Sequence, residues 1–141
     1  MVKFGLAATG TIADEEAIRS WISGCFQEYG SISGADECYS DMNSYGIVFA
    51  DEALNAGNGL ICVYPFEAEH RDEIKVYEDQ ANALVYMNEK MSNDSAAARD
   101  RYIVNSCDVL LAVWDGATYG KVYNMIEQAR AENKTVVVYA G

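Results

Sequence analysis

Apolar and polar positions alternate along this chain in two periods, and the two periods take turns. Val109–Trp114 is an almost unbroken apolar run, the pattern of a strand covered on both faces in a parallel sheet. Val2–Ala8 predicts a first strand ending at Thr9-Gly10, and Leu60–Tyr64 predicts a compact buried strand closed by Pro65. Ala83–Met87 predicts a short strand and Thr135–Tyr139 the final one. Between them the spacing lengthens to three and four residues. Ile18, Trp21, Ile22, Cys25 and Phe26 stripe a helix from Asp14 to about Tyr29, whose acidic first turn of Asp14, Glu15 and Glu16 suits the positive end of the helix dipole. Gly46–Ala56 predicts a short helix stopped by Gly57, and Arg71–Gln80 a polar, exposed one. A further helix starts near Ser92–Asp94 and runs to Ser106, and the last carries Val122, Met125, Ile126 and Ala129 on one stripe. Ser31–Asn43 is the least patterned part, with a short strand near Glu37–Ser40 as its one candidate element.

Strands alternating with helices predict an α/β class, a doubly wound domain with a mostly parallel sheet. The loops that follow the strands then share one edge, where open α/β sheets bind nucleotides and other anions beside helix N-termini. Thr9-Gly10, Pro65-Phe66-Glu67 and Asp115–Gly120 are expected to converge there. At Asp115–Gly120, Gly116 permits a sharp turn and Gly120 a close approach to a ligand, with Lys121 placed to neutralise phosphate. Plain turn chemistry also explains an Asp-Gly pair; its position after a buried strand favours ligand binding.

At about 100° per residue, the helix before that strand puts Ala96, Ile103 and Cys107 on one arc, with Ala97 and Val104 on its flank. Asp100 falls inside the arc and Arg99 at its border. A charge directed inward is paired or functional. Two readings stand side by side: a local ion pair that orients the helix, and Arg99 or Arg101 holding an anion with Asp100 fixing a hydroxyl or the arginine.

Length and charge narrow the class. The 141 residues predict one domain, and 50% hydrophobic content suffices for a core without metal or disulfide staples. A net charge of −12 argues against a nucleic-acid or anionic-membrane partner, each of which needs a basic footprint. A small phosphorylated ligand stays compatible with it, provided cations are organised locally. Cys25, Cys38, Cys62 and Cys107 show no C-x-x-C spacing and predict reduced, mostly buried thiols of a cytoplasmic protein. No leader or membrane-length apolar run is expected. His70, the only histidine, lies in an acidic run whose spacing matches no zinc signature, so a solvated helix start is the better reading and no metal or cofactor is implied. Asp51 and Glu52 could form an acid–base pair, though carboxylates on short helices are usually just solvated. Phe66, Trp114 or Tyr119 could stack on a base, though most aromatics are core.

The helix Gly46–Leu54, the strand end Tyr64-Pro65-Phe66-Glu67, the run Arg99–Val104 and the strand Asp108–Asp115 with Gly116 together resemble the SLOG superfamily of Rossmann-like nucleotide-binding proteins, in its YpsA-like branch. The resemblance is best over Gly46–Ala129. The departures are informative: Ala8-Thr9-Gly10-Thr11 stands in place of a Gly-His-Arg type turn, and Ser40–Tyr45 in place of a glycine-rich one. Arg99-Asp100 replaces an Arg-Asn pair, and Thr118-Tyr119-Gly120-Lys121 replaces Gly-Gly-Thr. In the related lonely-guy phosphoribohydrolases and the similar nucleoside deoxyribosyltransferases a catalytic glutamate begins this last helix. Aligned on Gly120, that position is Asn124, which can hydrogen-bond a ribose but cannot act as nucleophile or general base.

The resemblance therefore implies a single Rossmann-like domain that binds a nucleotide or ADP-ribose-like ligand without turnover. Its expected ligand-binding residues are Thr9, Gly10, Asn43, Asp51, Pro65, Phe66, Arg99, Asp100, Asp115, Gly116, Thr118, Gly120, Lys121 and Asn124, with none catalytic. SLOG domains joined to effectors act as sensors. With no effector expected here, the implied role is to buffer or sequester a signal, phage counter-defence included. SLOG-like proteins commonly associate, so a homo-oligomer is expected. The alternative is an enzyme acting at an N-glycosidic bond, with Asp51, Glu52 or Asp100 in place of the missing glutamate. A third reading is an interaction module whose pocket has decayed.

Overall fold

The computed structural model describes residues 1–33, 35–67, 71–88 and 94–140. Six strands and five helices alternate along them: β1 (Lys3–Ala7), α1 (Glu15–Tyr29), β2 (Glu37–Ser40), α2 (Ser44–Asn55), β3 (Gly59–Phe66), α3 (Asp72–Glu78), β4 (Ala83–Asn88), α4 (Ser95–Ser106), β5 (Val109–Ala112), α5 (Lys121–Ala131) and β6 (Thr135–Val138). The strands form one sheet in the order β4-β3-β2-β1-β5-β6, and every pairing is parallel. The chain starts in the middle, steps outward to β4, and returns beneath the sheet through α4 to β5. The order reverses between β1 and β5, which is where ligands settle in doubly wound sheets.

Side-chain alternation divides the core between the two faces. Phe4, Leu6 and Leu111 pack with Ile18, Ile22, Phe26 and Phe49 of α1 and α2. Ala7, Val63, Leu110 and Ala112 pack with Ile103, Val104, Met125 and Ile126 of α4 and α5. Met42, Leu60, Cys62, Tyr64 and Ile74 join α2 and α3 at the β3 end. Gly5, at the centre of β1, lies under α4, and a Cβ there would sit 2.9 Å from Ile103 Cγ2 and 3.2 Å from Cys107 Sγ. All four cysteines are free and buried. Burial pushes the Cys25 and Cys62 thiols up to about 11 and Cys107 to about 12, which leaves them protonated and unreactive.

Two details depart from the sequence pattern. Pro65 does not close β3, which runs on to Phe66. The Leu60 carbonyl accepts from Asn82 on the β4 side, so with two-residue alternation the Pro65 nitrogen faces β2, which has already ended opposite Cys62. The missing N–H therefore breaks no ladder bond. The inward arc of α4 is also rotated: Ile103, Val104 and Cys107 are buried as expected, but Ala96 and Ala97 are exposed, Arg99 is buried and Asp100 is half-buried. The first turn of α4 stands over the polar rim of the sheet, where Asn88 Nδ2 donates to Ser95 Oγ at 3.1 Å, so the stripe there runs Ser95–Arg99–Ile103.

Asp36 ties the start of β1 to the end of α1. It is 4% exposed and accepts from Val2 N (2.9 Å), Ser31 N (2.9 Å) and Ser31 Oγ (2.7 Å). Burial alone would raise its pKa, but these donors and the N-terminal ammonium outweigh it and hold the carboxyl below the usual range. A group whose folded pKa is depressed stabilises the fold above its unfolded pKa of about 3.9 and loses that contribution as pH falls through the folded value. Asp36→Asn is expected to cost about 1.5–3 kcal/mol at pH 7. Urea unfolding at pH 7 and pH 3 tests this, since the gap to the parent protein should narrow at the lower pH.

Candidate functional site

The carboxyl ends of the strands carry short loops built for tight turns. After β1, Gly10 turns at φ +84°. After β2, Met42 takes φ +58° with its side chain fully buried. The Ser40 hydroxyl donates to Gly46 O at 2.7 Å and accepts from Met42 N at 3.1 Å, folding this turn onto the start of α2. The turn leaves Asp41 buried against Gly46, where a Cβ would collide with its Oδ1.

Four charged side chains from three elements meet at this rim. Lys121 Nζ, at the first residue of α5, donates to Asp41 Oδ2 at 2.6 Å and lies 3.8 Å from Asp100 Oδ1. Asp100 Oδ1 accepts from Arg99 Nε at 3.0 Å, and Asp41 Oδ1 accepts from Asn43 N at 3.0 Å. The side chains of Asp41, Arg99 and Asp100 are 6%, 8% and 14% exposed, so the charges alternate in a largely desolvated row.

Two adjoining clefts open beside this row. The first, 320 Å³, is lined by Tyr64, Pro65, Phe66, Ile74, Tyr86 and Arg99 among others. The second, 480 Å³, lies between the loop after β1 (Thr9, Gly10, Thr11) and the start of α2, and reaches Lys121. Asp41, Asn43 and Arg71 line both. Arg71 Nη2 donates to Met42 O at 3.1 Å, which places its guanidinium at the junction. In the first cleft the Tyr64 hydroxyl donates to Glu78 Oε2 at 2.5 Å, and burial together with that carboxylate pushes the phenol pKa up.

Of the residues expected at the site, Thr9, Gly10 and Asn43 line the second cleft, and Asn43, Pro65, Phe66 and Arg99 the first. Lys121 lines the second cleft too, but its ammonium is taken by Asp41. Asp100 joins the charged row and, with Lys121 and Asn124, lines a separate groove between α4 and α5. Five others lie elsewhere. Asp51 pairs with Arg19 on the outer face of α1 and α2, beside Glu52. Asp115 accepts from Ala117 N at 2.9 Å and Trp114 Nε1 donates to Ala117 O at 2.8 Å, so the loop after β5 closes on itself. Gly116 and Thr118 are exposed on that loop and Gly120 begins α5 at φ +93°, none of them lining a cleft. His70 lies outside the described residues. Among the described residues no cluster of three His, Cys, Asp or Glu side chains could hold a metal, and no helix is long and apolar enough to cross a membrane.

Asp41, Arg71, Tyr64 and Tyr86 were not marked by the sequence pattern. Asp41 sits in the unpatterned stretch and Arg71 in a charged run that looks like a solvated helix start. Tyr64 and Tyr86 meet only through the β3–β4 register.

Scans of protein-family models and of curated proteins gave no match. Solved structures do match in shape. DNA processing protein A from Streptococcus pneumoniae superimposes with a TM-score of 0.76 at 14% identity, over 100% of this chain and 51% of that one. The molybdenum cofactor carrier protein from Chlamydomonas reinhardtii gives 0.63 at 17% identity, over 97% and 75%. TM1055 gives 0.65 at 13%, over 96% and 72%. The fold they share with this chain is a Rossmann-like, doubly wound α/β fold. At these identities the likeness is one of fold, and this chain spans only 51% of the DNA processing protein. Within this fold, the paired clefts lie at the carboxyl edge of the sheet, on the β2–β3 side of the switch point.

Proposed function

We propose that this protein binds a small phosphate-bearing ligand of the nucleotide or ADP-ribose type at the carboxyl edge of its sheet and holds it without turnover. The observation that carries this reading is the pair of adjoining clefts with Arg71 at their junction. Their volumes fall in the range of small-molecule sites, and they combine aromatic walls with a few polar groups. Arg71 is the cation offered to the ligand: its side chain is 42% exposed and its acidic neighbour Glu73 stands off at 3.7 Å, whereas Lys121 and Arg99 already face carboxylates at close range.

The placement of the carboxylates weighed for catalysis supports binding without turnover. Asp51 and Glu52 are held by Arg19 away from both clefts, and Asp100 lies between Arg99 and Lys121. Asn124, which aligns on Gly120 with the catalytic glutamate of the hydrolases the sequence resembles, is not a base. One structural neighbour is by name a cofactor carrier, which supports a holding role. Another is by name a DNA-processing protein, but 22 acidic residues against 10 basic ones disfavour a polyanion here. Sensing or sequestration of a signal nucleotide, phage counter-defence among its uses, is the biological role we attach to such binding, with self-association as the expected assembly.

A nucleotide panel read by thermal shift tests the reading. A bound ligand at about 100 times its Kd should add roughly 2.7 kcal/mol of stability. Arg71→Ala should weaken binding by about tenfold or more, the worth of a charge-assisted hydrogen bond. Ligand released on denaturation should be chemically intact by mass spectrometry. No shift with any nucleotide, or recovery of cleaved product alone, would overturn it.

A further inference from the structure

The aromatic wall of the first cleft has a definite build. Tyr64 and Tyr86 are register partners on β3 and β4, and their rings stack at 5.4 Å with planes 22° apart. Tyr64 is buried, and its hydroxyl is anchored on Glu78, so this ring is fixed. Tyr86 lies on the edge strand and is 43% exposed. It lines the first cleft together with Pro65 and half-buried Phe66. A large ring is ordinarily drawn into the core, and one left open on a cleft beside a fixed partner is a stacking platform. Arg71 borders the same cleft and extends into the second one.

From this arrangement we infer that the first cleft is a base subsite: a planar heteroaromatic ring of the nucleobase kind packs against Tyr86 and Phe66. The phosphate then lies toward Arg71 and the second cleft. This orientation rests on the binding reading above and adds to it the chemical class of the ligand's ring end. A base-free sugar phosphate would engage Arg71 but gain nothing from the tyrosine pair.

Calorimetric titration with adenosine 5′-monophosphate, ADP-ribose and ribose 5-phosphate separates these contributions. Tyr86→Ala and Tyr86→Leu should each weaken both base-bearing probes by about tenfold while leaving ribose 5-phosphate within about twofold. Tyr86→Phe should retain parental affinity. The leucine variant keeps the apolar bulk of the edge strand, so a loss there reports the ring rather than the fold. If the tyrosine variants leave all three probes unchanged, or weaken all three alike while Arg71→Ala still weakens them, the base subsite falls and the binding reading stands. If the parent protein binds none of the probes, both fall.

Discussion

Lys121→Met is expected to destabilise the protein by about 3–5 kcal/mol, more than removal of its partner Asp41. The asymmetry comes from burial. The Asp41 side chain is 6% exposed and cannot swing into water, so without Lys121 it is left as a buried carboxylate supported, among the described residues, by Asn43 N alone. Lys121 is 20% exposed and has Asp100 at 3.8 Å, so in Asp41→Asn it can turn outward or toward the second carboxylate. Asp41→Asn should therefore cost about 1.5–3 kcal/mol, the range for a hydrogen bond to a charged group. The double variant Lys121→Met, Asp41→Asn should recover part of the single-variant loss, because no unpaired charge is left behind. Urea unfolding of the four proteins measures the cycle. A cost below about 1 kcal/mol for Lys121→Met would show that Asp41 does not depend on it.

Gly5→Val is expected to cost about 3 kcal/mol or more, because the close packing of α4 on the sheet leaves no room for a side chain at the centre of β1. Even a lone Cβ meets Ile103 Cγ2 at 2.9 Å and two atoms of Cys107 at 3.2 and 3.3 Å. Relief requires α4 to lift, and α4 carries Arg99 and Asp100 one turn away from Ile103. The substitution should therefore loosen the charged row as well as the core. The measurements are the urea midpoint and the ligand-induced thermal shift, with Gly5→Ala expected at about 1–3 kcal/mol. A parental midpoint for Gly5→Val would mean that α4 does not rest on β1 as described.

The architecture was readable because its signal is local. Val109–Ala112 is buried on both faces, and the helix stripe Ile18, Ile22, Cys25, Phe26 is buried at the spacing the chain displays. Even the short candidate strand at Glu37–Ser40 is β2, with the same bounds. The site was legible only in part. Loop residues after β1 and β3 could be placed at the carboxyl edge of the sheet because parallel topology puts them there. The loop after β5 carries the same kind of sequence signal, yet its own hydrogen bonds to Ala117 fold it away from the clefts. Pro65 looked like a strand end because a chain gives no sign of which neighbour a nitrogen faces.

What the sequence by itself determined is the order and type of the elements, hence an α/β sheet with loops gathered at one edge. Periodicity needs only neighbours three or four residues away to be visible, and burial of the apolar face does the rest. Which charges pair at that edge was decided by the tertiary structure alone. Lys121 and Asp41 are 80 positions apart, and nothing local distinguishes a lysine destined for a buried carboxylate from one left in water. The same is true of the cleft lining: Arg71 and Tyr86 acquire their positions there only when β3 and β4 register and the turn after β2 brings the Met42 carbonyl within reach.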